Sequence, residues 1–115
     1  MTYTILDPST VEQHHGVLRP LRQALGVSAF GINKLELGAN AEGFEHDHAG
    51  DGQEEVYVIV GGSGSIRVDG EESPLVPGNV VFLSPEAKRQ MVSGPDGLSW
   101  VGVGCQPGGY TPRQQ

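Results

Sequence analysis

The 115 residues hold a single cysteine, Cys105, so no disulfide can form within the chain. That argues against a small secreted scaffold stapled by bridges and fits a reducing compartment. Positive charge is also scarce: 7 basic residues face 14 acidic ones, for a net charge of -7. A phosphate-binding surface needs the opposite balance, which argues against nucleic acid and anionic membrane as partners. No apolar run approaches the roughly 20 residues that span a bilayer. Residues 1–11 lack the basic start and apolar stretch of a secretory signal. The expectation is a soluble, cytoplasmic protein. The glycine-rich stretch 61–65 has no Lys-Ser/Thr after it and no helix to follow, which excludes a phosphate loop.

Glycine and proline are plentiful, at 18 and 8 residues. The glycines fall between short apolar runs rich in Val, Ile and Phe, a spacing that marks short strands joined by tight turns. A chain of this length forms one domain and buries roughly two-thirds of its unfolded surface, enough for a core without disulfides. Two parts are expected: an N-terminal arm over 1–28 and an all-β body over 29–115. In the arm, residues 19–26 read as a short helix with Pro20 at its first position and Gly26 as its stop. The arm is expected to pack outside the body or on a partner subunit, with His14 and His15 on the surface. In the body, strands are expected over 29–37, 44–48, 54–60, 65–68, 72–75, 79–83, 88–93 and 98–104. Within 29–37 the apolar parity switches, from Phe30 and Ile32 to Leu35 and Leu37, which suggests a bulge or burial on both faces. Turns are expected at 61–64 and 95–97, and a two-residue hairpin at Asp69-Gly70.

The chemistry concentrates at His46-Asp47-His48 and the run that starts at Glu54. Two histidines one residue apart on a strand project to the same side, because side chains alternate. Glu54 opens the next strand and can supply an oxygen. Two neutral imidazoles and one carboxylate make the facial triad favoured by iron(II) and accepted by zinc, manganese, nickel or copper. The candidate metal ligands are therefore His46, His48 and Glu54, for one divalent transition metal. The bland alternative is three polar residues on a solvated rim. Asp51, in the loop between, is a candidate for support of the site or plain surface. Cys105 shares parity with Val101 and Val103 and reads as a buried, inert thiol.

These residues resemble the motifs of the cupin family. The family's first motif runs from a glycine through His-x-His and a short loop to a glutamate and, one strand later, a glycine. His46-x-His48 matches it, and Glu54 to Gly61 keeps the family spacing. Residues 63–70 are similar to the family's hairpin, and 76–85 partly match its second motif. The resemblance covers residues 29–105. It implies a double-stranded β-helix, or jelly-roll barrel, with a metal or ligand pocket inside, and a homodimer.

The departures define the open questions. Asn40 stands where the first glycine is expected, with Gly38 nearby. The loop after His48 is longer than the family's. Counting forward from His48 allows Gln53 as the ligand; counting back from Gly61 selects Glu54, which is preferred because a strand spaces more faithfully than a loop. The second motif lacks its histidine. Counted from Gly78, Arg89 stands there with Ser93 at the following asparagine position; anchored on Pro85, the pair is Gln90 and Gly94. Arg89 has three readings: turned outward to solvent, gripping an anionic substrate beside a three-ligand metal, or pairing with the glutamate in place of the metal. Gln90 is a minor candidate as a weak oxygen ligand. Tyr57 reads as barrel packing that can line a pocket, as do Trp100, Met91, Phe44 and Phe82. Arg89, Gln90 and Tyr57 are thus the ligand-binding candidates. The function expected is a small metal-dependent enzyme of the oxygenase or isomerase type, acting on a small, carboxylated molecule. The alternative is a non-catalytic barrel that holds a small ligand or a metal, or one left metal-free by Arg89.

Overall fold

Alternation with a period of two governs most of the chain, and the computed structural model, which describes residues 2–113, turns it into an antiparallel β-barrel. A 3-10 turn at Pro8–Thr10 is followed by β1 (Leu18–Pro20), α1 (Arg22–Leu25), β2 (Gly31–Leu37), β3 (Glu54–Val68), β4 (Glu71–Leu75), β5 (Val80–Leu83) and β6 (Arg89–Cys105). The order is β1-β2-β6-β3-β4, with β5 also on β3. The all-β expectation holds. Helix α1 stops at Gly26, whose φ of 82° is the left-handed conformation glycine adopts without penalty. Pro20 ends β1 rather than opening the helix. Strand β1 lies within the 1–28 arm and is hydrogen-bonded to β2, so the arm adds an edge strand to the sheet.

Two expected turns are bends inside long strands. Residues 61–64 lie within β3 and residues 95–97 within β6. The first half of β3 pairs with the second half of β6, and the register then slips between Ile59 and Gly61 and between Gly62 and Gly64 before the remaining halves pair. These bulges let both strands pass from one side of the barrel to the other. Asp69 and Gly70, with φ of 49° and 87°, make the expected hairpin turn into β4. The expected strand 44–48 is reduced to a single bridge, His46 to Arg89. Strand β2 runs in unbroken register against β6, without a bulge.

The core is assembled from Leu37, Tyr57, Ile59, Ile66, Leu75, Leu83, Met91, Leu98 and Trp100, all buried. Each full burial of a side chain such as Ile59 or Leu83 stabilises by roughly 1.5–3 kcal/mol. Along β3, Glu55, Tyr57 and Ile59 point into the barrel, whereas Glu54 and Val60 are exposed. That parity decides which acid reaches the interior.

Candidate metal centre

The two histidines sit on an irregular segment stapled to β6 and to the turn before it. The Gly43 amide donates to the Met91 carbonyl (2.8 Å), His46 exchanges backbone hydrogen bonds with Arg89 (3.0 and 2.9 Å), and the His48 amide donates to the Pro85 carbonyl (2.8 Å). Ser93 ties the preceding turn down: its hydroxyl donates to the Gly38 carbonyl (2.5 Å) and accepts from the Ala41 amide (2.8 Å). The imidazoles meet edge to face, with centroids 5.4 Å apart.

Their outer nitrogens are committed. His48 Nδ1 faces both Asp51 carboxylate oxygens, at 3.0 and 3.1 Å, and His46 Nδ1 faces the Phe44 carbonyl at 3.4 Å. Both partners only accept, so each Nδ1 carries the proton and each neutral ring keeps its lone pair on Nε2. The two Nε2 atoms point at Glu55 Oε1, at 3.2 Å from His48 and 3.9 Å from His46. Nitrogen, nitrogen and carboxylate oxygen lie within 4.8 Å of one another, a set that could hold a metal ion.

The carboxylate brought to the histidines is thus Glu55, and the candidate ligand Glu54 is replaced by its neighbour. Glu54 is exposed and lines a shallow outer depression with Phe30, Val56 and Phe82. The physical reason is alternation: a one-residue step along a strand moves a side chain to the other face. The signal was present in the run itself, because Glu55 shares its face with Tyr57 and Ile59. Gln53 lines the cavity but donates to Asp51 (3.2 Å) and stands outside the donor cluster.

Arg89 is 0% exposed, which excludes the outward-turned reading. It donates to Glu55 Oε1 (2.5 Å), to the Ala87 carbonyl (2.6 Å) and to the Ser84 carbonyl (3.4 Å). Tyr57 also donates to Glu55, at 3.3 Å. Gln90 is turned away from the interior, a second correction: it donates to the Gly43 carbonyl (3.0 Å) and accepts from Arg67 (3.2 Å). Adjacent positions on β6 alternate, so Arg89 and Gln90 cannot both face inward. Cys105 lies half-buried on the outer face beside Glu54, not in the core. Asp51, read as surface or support, holds His48. His14 and His15, expected on the surface, are exposed yet line the cavity.

Electrostatics follow from this packing. Burial alone would raise the Glu55 pKa, but the proximity of His46, the hydrogen bond from Arg89 and the positive charge of its guanidinium outweigh it and hold it at about 2. Burial, reinforced by the Glu55 charge, pushes the Tyr57 phenol up to about 12. Glu55 raises the His46 pKa against the effect of burial. Because the folded Glu55 value lies below the ordinary 4.5, its ionised form favours folding above pH 4.5, and the contribution is lost as pH falls toward 2. The gap corresponds to about 3 kcal/mol, of which about 2 are lost by pH 3. Metal-free protein should therefore lose about 2 kcal/mol more stability between pH 6 and pH 3 than a Glu55→Gln variant does, read by urea unfolding. Equal losses in the two proteins would contradict the ionised, paired carboxylate.

A cavity of about 460 Å³ opens onto the cluster. Its wall is mainly apolar, formed by Leu35, Tyr57, Met91 and Trp100 among others. Such a space suits a small molecule held by apolar contact and oriented by a few polar groups.

No protein-family model and no curated protein sequence matches the chain. Solved structures do match it in shape. A cupin protein from Bacteroides fragilis superposes with a TM-score of 0.80 at 23% identity, covering 99% of this chain and 92% of that one. A sugar phosphate isomerase from a cupin superfamily, from Silicibacter pomeroyi, gives 0.72 at 22% identity, covering 90% and 76%. A predicted oxalate decarboxylase from Thermotoga maritima gives 0.74 at 17% identity, covering 90% and 99%. The likeness is one of fold.

Proposed function

Starting from a chain that folds as a cupin barrel, a double-stranded β-helix, we propose that it holds one divalent transition metal through His46, His48 and Glu55. On that centre it acts as a small metal-dependent enzyme, of the oxygenase or isomerase kind, on a small carboxylated molecule. One observation carries the metal reading: both imidazoles have Nδ1 committed to an acceptor and Nε2 free beside the same carboxylate. The donor chemistry fits iron, manganese, zinc, nickel or copper. Bound by His46, His48 and Glu55, such an ion would supply Lewis acidity toward an oxygen of a small molecule.

The chain's own residues do the rest. Asp51 fixes the His48 ring, and Arg89 and Tyr57 fix the Glu55 carboxylate. Leu35, Met91 and Trp100 supply apolar contact and exclude water. That two neighbours of this fold are named as an isomerase and a predicted decarboxylase supports an enzyme by analogy. Partners that orient a ligating histidine typically contribute 10–100-fold in metal affinity. Asp51→Ala should thus weaken zinc or manganese binding by about 10–100-fold in calorimetric titration of metal-stripped protein. An unchanged affinity would remove Asp51 from the centre.

A second reading is favoured by the Arg89–Glu55 contact of 2.5 Å. There the guanidinium supplies the positive charge, and the barrel binds a small ligand without metal or catalysis. Failure of metal-stripped protein to take up any of the five metals at one per chain would select it. We also propose a homodimer. The outward face carries Val58 opposite Val80 and Val56 opposite Phe82, and Val80 and Phe82 are 65% and 61% exposed. Equilibrium sedimentation should give twice the chain mass; the chain mass itself would rule the dimer out.

A further inference from the structure

The cavity has a second set of polar side chains, on the arm. His14, His15, Gly16 and Val17 form a tight turn just before β1. The Val17 amide donates to the His14 carbonyl (3.1 Å), and His14 and Leu18 exchange backbone hydrogen bonds (2.6 and 3.0 Å). His15 and Gly16 both have positive φ, 54° and 69°. Within the three-residue loop that the His14–Leu18 pair closes, residues 14–17 make a β-turn with positive φ at both central positions, the first of which favours Asn, Asp or Gly. A histidine there is held in a backbone conformation that L-residues other than glycine rarely adopt. Residues kept in such conformations cluster where function needs them. The turn leads from the β1 edge to the segment that precedes His46. There the His15 ring meets Phe44 edge-on, centroids 6.2 Å apart, two residues before His46. Both His14 and His15 line the cavity.

Other polar groups on the wall are mostly engaged. Tyr57 and Arg89 are turned to Glu55, and Gln53 to Asp51. Among the described residues, Asn33 on β2 and the Trp100 indole N–H, which is buried without a partner, also belong to this wall. The apolar side chains of Leu35, Met91 and Trp100 line the same cavity.

Resting on the reading of this cavity and its metal centre as the ligand site, we propose that His14 and His15 form a second subsite that binds an oxygen group at the far end of the ligand. The ligand class is a small molecule with an oxygen function at each end and an apolar body between, of which an aliphatic α,ω-dicarboxylate is the simplest member. One end meets the metal cluster; the other takes hydrogen bonds from the imidazoles.

The test is calorimetric titration of manganese-loaded protein with straight-chain dicarboxylates of about four to ten carbons and with monocarboxylates of matching length. For at least one length, the dicarboxylate should bind about tenfold more tightly or better. A His14→Ala/His15→Gly double variant, which keeps a residue suited to the turn, should bring the pair within about twofold. It should leave monocarboxylate affinity and metal stoichiometry as in the wild type. Asn33→Ala should keep the preference. The subsite is overturned if no length shows a preference, if the preference survives in the double variant, or if Asn33→Ala alone abolishes it. Failure of the underlying reading looks different: monocarboxylates would then bind metal-stripped and metal-loaded protein equally well.

Discussion

Glu55→Ala protein should bind no divalent transition metal at one per chain, whereas Glu54→Ala should bind it as the wild type does. The two acids are adjacent in sequence and opposite in the fold. Glu55 lies 3.2 Å from His48 Nε2 and is 9% exposed, whereas Glu54 sits on the outer face. Removing a ligand that also carries the site's negative charge should cost more than the 10–100-fold typical of supporting residues. The alanine variant also leaves Arg89 as a buried charge without its partner, which typically destabilises by 3–5 kcal/mol. Glu55→Gln separates the two effects. Its amide oxygen still accepts from Arg89, so the fold is retained, but the anionic ligand is gone. Calorimetric titration of the three variants with zinc and manganese reads the difference. Loss of metal in Glu54→Ala, with retention in Glu55→Gln, would invert the assignment.

The second large effect is structural. Gly64→Ala should lose more than about 4 kcal/mol of stability in urea unfolding, or fail to fold. A Cβ at that position would lie 2.0 Å from the Val92 carbonyl oxygen and 3.0 Å from the Ser93 Cα, both backbone. Neither can retreat without opening the β3–β6 pairing at the bend where the two strands change sides. Gly70→Ala provides the contrast. Its φ of 87° also disfavours alanine, but nothing lies within 4 Å of the added carbon, so the cost should stay at roughly 1–2 kcal/mol. Similar losses in the two variants would show that backbone conformation, not the close approach of the strands, sets the requirement.

Much of this architecture is legible in the residues because alternation is a local property. The β3 run sorted Glu55, Tyr57 and Ile59 onto one face and Glu54, Val56 and Val58 onto the other. What alternation leaves open is which face is inside. The motif count selects Glu54, yet Tyr57 and Ile59, the larger apolar side chains, mark the face of Glu55 as the interior. The same parity separates Arg89 from Gln90. The stretches 61–64 and 95–97 read as turns because glycine and proline commonly end strands; here they bend continuous strands, a distinction made only by the pairing of distant halves. His14 and His15 were out of reach for a related reason. Their place on the cavity wall depends on a tight turn and on β1 joining β2, contacts that join residues far apart in the chain. Asp51 could be placed near the site by its loop, but its hold on His48 required the loop's shape.

The central claim is that two imidazole nitrogens and the Glu55 carboxylate share one ion. Anomalous diffraction from crystals of zinc- or manganese-loaded protein, measured on both sides of the metal's absorption edge, tests it directly. The account predicts one peak per chain, about 2.0–2.3 Å from His46 Nε2, His48 Nε2 and a Glu55 oxygen. A peak held by other residues, or none between these three while the Arg89 guanidinium keeps Glu55 to itself, would contradict it.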